Sequence, residues 1–169
     1  MSKIVNNPNP VEEKIQINRN QIEHRATWMG LIYDEMVKAG VADAENILRR
    51  AIARCGHIHG ARITAQCADP DDCEELCKVF IGTVGESVGP CTFKIEHVTK
   101  DHDHIVSEVG YCALLAAWQK LGFDDERCAL LCDIAMDGDR SIAQEMGLKL
   151  DMEKCLATGD HICMLNYHK

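Results

Sequence analysis

The chain has 169 residues, a formal net charge of −9 and ten cysteines. That length reads as one domain, able to bury roughly 70% of its unfolded surface without disulfide staples. The acidic balance excludes nucleic acid or an anionic membrane as a principal partner, because both reward clustered Lys and Arg.

No apolar run approaches the ~18 residues of a membrane span. The opening MSKIVNNPNPVEEK is polar, has two prolines and lacks an apolar signal core. A cytoplasmic location is therefore expected, where thiols stay reduced and most cysteines act as small buried hydrophobes.

Residues 1–17 read as a polar lead, extended or loosely attached, and residues 18–169 as a single domain. Asn18 or Asn20 can cap a first helix. Ile22, Ala26, Met29, Ile32 or Tyr33, and Met36 then recur every three to four residues, with Gly40 as the stop. His24 and Arg25 lie in the first turns. A second helix is expected over 42–58, with Ile47 or Leu48, Ala51 or Ile52, Cys55 and Ile58 on its apolar stripe and Arg49, Arg50 and Arg54 facing solvent. Gly56 and Gly60 loosen its end. Cys55 and His59, four apart, share a face.

Asp69-Pro70-Asp71-Asp72 looks like a helix start, which puts Cys73 and Cys77 one turn apart. Gly82, Gly85, Gly89 and Pro90 read as a loop. Residues 91–98 alternate as a half-buried strand, and residues 102–111 pair with it as a hairpin. Cys112 leads into a helix over 113–120, and Asp124 opens another that runs to about Met146. Two more strands follow, Leu148 to Glu153 and His161 to His168. The fold class is α+β: a four-stranded, mainly antiparallel sheet with about four to five helices over one face.

Cys112 sits where a strand hands over to a helix. Its sulfur is expected near the positive N-terminus, which lowers a thiol pKa and favours the reactive thiolate. Asp133, Asp137 and Arg140 fall on one helical face. They read either as an internal ion pair or as a polar wall: a carboxylate for a cationic amidine and a guanidinium for a carboxylate. Cys132 lies in a neighbouring row, and Asp139 is expected to point elsewhere. Convergence of Cys112, Cys132 and Cys163 would give a thiolate set suited to zinc or iron.

The segments YCALLAAW, LLCDIAMDGDR and GDHIC, with EHRATWMGLIYDEM and RRAIARCGHIHG, resemble the L-2-amino-thiazoline-4-carboxylic acid hydrolases from Glu23 to Tyr167. Ala113 stands where that pattern has proline. A fainter likeness, at the level of fold, is to small-ligand-binding domains related to 4-vinyl reductases. The hydrolase resemblance implies opening of a small carboxylate-bearing cyclic amidine, with a carbamoyl-cysteine-type product. Under it, Cys112, Cys132, Asp133 and Asp137 are the catalytic candidates. Arg140, Arg25, His24 and His59 are the substrate-binding candidates. A small molecule is then the expected partner, and homo-oligomers are compatible with this reading. The competing class is a non-catalytic sensor domain that binds a small molecule or metal through its cysteines.

Overall fold

In the computed structural model, which describes residues 2–169, the first helix, α1, spans Glu13–Lys38. It therefore starts well before Asn18 and Asn20, and neither is its cap. Asn18 instead donates 2.8 Å to Thr92 Oγ1. The lead ahead of α1 is fastened rather than loose. Ile4 is buried, Lys3 N donates 2.6 Å to Asp125 Oδ2, and Asn6 bonds the backbone of Cys112 in both directions at 2.9 Å.

Helix α2 spans Ala44–Gln66, longer than its periodicity suggests. Gly56 and Gly60 do not fray it. They are buried where α2 packs along α6 (Asp125–Glu145). A Cβ on Gly56 would lie 2.2 Å from the Gly138 carbonyl oxygen, and one on Gly60 2.6 Å from Glu145 Cβ. The glycines let two helices approach more closely than any side chain permits. The apolar stripe of α2 is consequently shifted: Leu48 is buried, whereas Cys55 and Ile58 are exposed.

Helix α3, Cys73–Phe80, begins as expected, with the Asp72 carboxylate accepting from Glu74 N at 2.9 Å. Cys73 and Cys77 are buried in an apolar cluster with Leu76, Ile105, Ala143 and Tyr167. Residues 88–93 depart from the expected loop and strand. Val88–Phe93 is a short helix, α4, which Lys94 ends in the left-handed region at φ 51°. Thr92 stabilises it by donating to Val88 O at 2.6 Å, and Arg19 reaches the Thr92 carbonyl at 2.9 Å.

Strands β1 (Ile95–Lys100), β2 (His104–Val109), β3 (Lys149–Lys154) and β4 (Cys163–His168) form one antiparallel sheet in the order β1-β2-β4-β3. The expected α+β class and four-stranded antiparallel sheet hold, with six helices among the described residues where about four to five were expected. Side-chain alternation turns Ile105, Ser107 and Val109 of β2, and Cys163 and Tyr167 of β4, toward the helices, and all five are buried. Helix α5 (Ala113–Lys120) is pinned to α1 by Trp118 Nε1, which donates to Ala26 O at 3.0 Å. A 3-10 turn, Leu156–Thr158, bridges β3 and β4 beside α6.

Candidate active site

Cys112 occupies the N-cap position of α5. The sulfur makes no capping hydrogen bond, but the backbone amides of Leu114 and Leu115 at the helix start favour its thiolate. Its pKa is nonetheless not lowered. Burial dominates and pushes it up to about 11, so the resting group is a neutral thiol. Cys112 is closely surrounded by protein yet keeps some accessible surface, so it borders a small recess.

Asp139 shares that character: it is deep in the fold and only half-buried by area. It points away from the Asp133–Asp137–Arg140 face, as expected, but into the fold toward Tyr167 rather than to a local cap. Burial raises its pKa to about 6, against the charges of Arg25 and Arg140 and the Tyr167 hydroxyl, which lower it. Burial and the neighbouring Asp139 carboxylate together push the Tyr167 phenol well above its usual range. The negative charge of Asp139 in turn helps hold Cys112 protonated. Helical geometry explains this orientation: Cys128, Cys132, Ala135 and Asp139 fall along one stripe of α6. Cys128, Cys132 and Ala135 all pack in the main core.

Four sulfurs converge beside this carboxyl group. Cys132 Sγ lies 3.6 Å from Cys155 Sγ, and Cys163 Sγ accepts from Leu156 N at 3.3 Å. Cys112, Cys132, Cys155 and Cys163 are close enough to act on one another's charge. Contact with Cys132 and Cys163, and the Ala157 and Thr158 amides of the 3-10 turn, lower the pKa of Cys155. Contact with Cys155 and burial raise those of Cys132 and Cys163. The sequence brings out three of these four. Cys155 escapes because only the tertiary fold carries the β3–β4 connection under α6. Among the described residues, no group of three or more His, Cys, Asp or Glu side chains is arranged to hold a metal ion.

The other face of α6 carries a closed ion-pair network. Arg49 of α2 bonds Asp133 at 2.6 Å and Asp137 at 2.9 Å, and Arg140 bonds the same two carboxylates at 2.8 and 2.6 Å. Arg49 is thus half-buried at the helix interface rather than solvent-facing. It stays protonated because Asp133, Asp137 and Glu45 outweigh the cost of its burial. Burial raises the pKa of Asp133, but Arg140 and Arg49 together bring it below the usual carboxylate value. Asp133, Asp137 and Arg140 are therefore engaged with one another and with Arg49.

The histidines lie outside the recess. His24 accepts from Trp28 Nε1 at 3.0 Å on the exposed side of α1, and Trp28 is 61% exposed. His59 contacts Cys55 at 3.9 Å on the surface, and His57 pairs with Glu145 at 2.8 Å. His104 pairs with Asp101 at 3.2 Å in the β1–β2 turn. Arg25 is exposed, and its charge reaches Asp139.

Two surface clefts, of about 430 and 450 Å³, lie elsewhere. One is bordered by residues 9–15 and 84–96, the other by the apolar end of α1. No helix among the described residues is long and apolar enough to cross a membrane.

No curated protein and no solved structure matches the chain. A family model does, over residues 19–167, from within α1 to within β4, with Cys112, Asp139, Cys155 and Cys163 inside the match. On that match the chain belongs to the L-2-amino-thiazoline-4-carboxylic acid hydrolase family.

Proposed function

We propose that this protein hydrolytically opens 2-amino-thiazoline-4-carboxylate or a closely related small cyclic isothiourea. In this reading Cys112 is the nucleophile and Asp139 the proton carrier. The observation that supports it most directly is that two enclosed groups lie near enough to act on one another's charge: a sulfur at a helix N-terminus and a carboxyl group with a pKa near 6. A carboxyl tuned to that value exchanges protons efficiently near neutral pH.

The electrophile is the ring carbon between nitrogen and sulfur. Ionised Asp139 takes the Cys112 proton as the sulfur bonds to that carbon. The tetrahedral adduct collapses with cleavage of the ring carbon–sulfur bond, and Asp139 returns the proton to the departing sulfur. Water then adds to the carbon held by Cys112, with Asp139 again as base. The Cys112 sulfur leaves as the thiol, and the product is a carbamoyl-cysteine. One water is consumed and no other co-reactant is needed.

Arg25 is the cation we assign to the substrate carboxylate, since its charge already reaches Asp139. Arg140 is committed to Asp133 and Asp137. The test is turnover of the thiazoline by purified protein and by Cys112→Ser and Asp139→Asn variants. Loss of turnover in Cys112→Ser, and a fall of about 10²–10⁴-fold in Asp139→Asn, is the expected result. A protein that binds the thiazoline stoichiometrically and returns it unchanged is a sensor domain, and the proposal then fails.

A further inference from the structure

We propose that Cys132 and Cys155 are a peroxide-modified pair, which closes reversibly to a disulfide between α6 and the β3–β4 connection. Their sulfurs lie 3.6 Å apart. A disulfide bond is about 2.05 Å long, so closure asks for a relative movement of roughly 1.5 Å, within reach of side-chain rotation. Cys155 is held in place for this: its backbone amide donates to Asp160 Oδ2 at 2.8 Å. The competing sulfur, Cys163, is tied to the Leu156 amide at 3.3 Å. Cys132 keeps accessible surface, so a small oxidant has a way in.

The two amides of the 3-10 turn favour the thiolate form of Cys155, and with it attack by that sulfur. Chemically, the Cys155 sulfur attacks one oxygen of hydrogen peroxide. The O–O bond breaks, and hydroxide leaves to become water on taking up a proton. Cys155 is then a sulfenic acid. The Cys132 sulfur attacks it, the S–S bond forms, the S–O bond breaks, and the Cys132 proton completes a second water. Two thiols and one peroxide thus give one disulfide and two waters, and an added dithiol reverses the change.

The experiment treats the reduced full-length protein with one equivalent of hydrogen peroxide. Remaining thiols are then alkylated, and the digested protein is mapped by mass spectrometry. The expected result is the loss of two of the ten thiols, a linked peptide pair containing Cys132 and Cys155, and full recovery with dithiothreitol. In Cys132→Ser the disulfide should be absent and Cys155 should be trapped by dimedone as its sulfenic acid. Ten intact thiols, or a linkage that joins other cysteines, would overturn the inference. Should Cys132→Ser fail to fold, the wild-type peptide map decides alone. No substrate enters this measurement, so its failure is distinct from failure of the hydrolase reading.

Discussion

Asp139 carries a conflict between folding and chemistry. Its folded pKa of about 6 lies above the ordinary value of 3.8. Between those values the folded protein binds more protons than the unfolded chain, so stability falls as pH rises through that window. Above about pH 6 the full cost of an ionised buried carboxylate is present, up to ~3 kcal/mol for a shift of about two units. Asp139→Asn is therefore expected to be more stable than the wild type at pH 7 by up to that amount, and no more stable near pH 4. Urea unfolding at both pH values checks it. The same group predicts that kcat/KM falls as pH drops below about 6, and that the Asn variant loses this limb. At this scale the sequence was partly legible. Cys112 stood out because a strand-to-helix junction is visible in the residue pattern. Asp139 was within reach, since it lies seven residues after Cys132 and so shares its face. It was passed over because Asp133, Asp137 and Arg140 offered a ready charge pattern. The pKa of Cys112 was misjudged because burial cannot be read from a motif.

The pairing of α2 with α6 positions one wall of the recess, and it rests on small residues and charges. Gly56→Ala is expected to destabilise by about 3 kcal/mol. Its Cβ would meet the Gly138 carbonyl at 2.2 Å, and backbone cannot yield as a flexible side chain does. Thermal unfolding measures this directly. Arg49→Ala removes the link between Asp133, Asp137 and α2, while Arg140 still neutralises part of their charge. The groups are partly exposed, so a loss of about 1–2 kcal/mol is expected, shrinking as salt is added. Helices α5 and α6 were readable from capping residues and periodicity. The ends of α1 and α2 were not. The glycines that read as breakers of α2 are packing contacts with Gly138 and Glu145 of α6, and the start of α1 lacks a side-chain cap. Helix α4 was taken for loop and strand because its stabilising bonds come from Thr92 and from Arg19 on another element.

Across the whole molecule, the polar lead closes over the site. Asn6 holds both backbone groups of Cys112, and Ile4 packs in the main core. Asn6→Ala is expected to cost about 1–2 kcal/mol of stability, since it frees two partly buried backbone groups. It should also lower turnover by loosening the start of α5, and it should do so without moving the acid limb of the pH profile. Unfolding and kinetics on the same preparation separate the two effects. The strands and their two hairpins were legible because strand alternation is local, but the β2–β4 pairing that joins the hairpins was not. The role of the lead was not, because polar residues with two prolines look alike whether free or docked. The measurement that bears most directly on this account is the single-turnover reaction of Cys112→Ser with 2-amino-thiazoline-4-carboxylate, run beside the wild type. The account predicts ring opening by the wild type and none above background by the variant, with the fold preserved. Full ring opening by Cys112→Ser would contradict it.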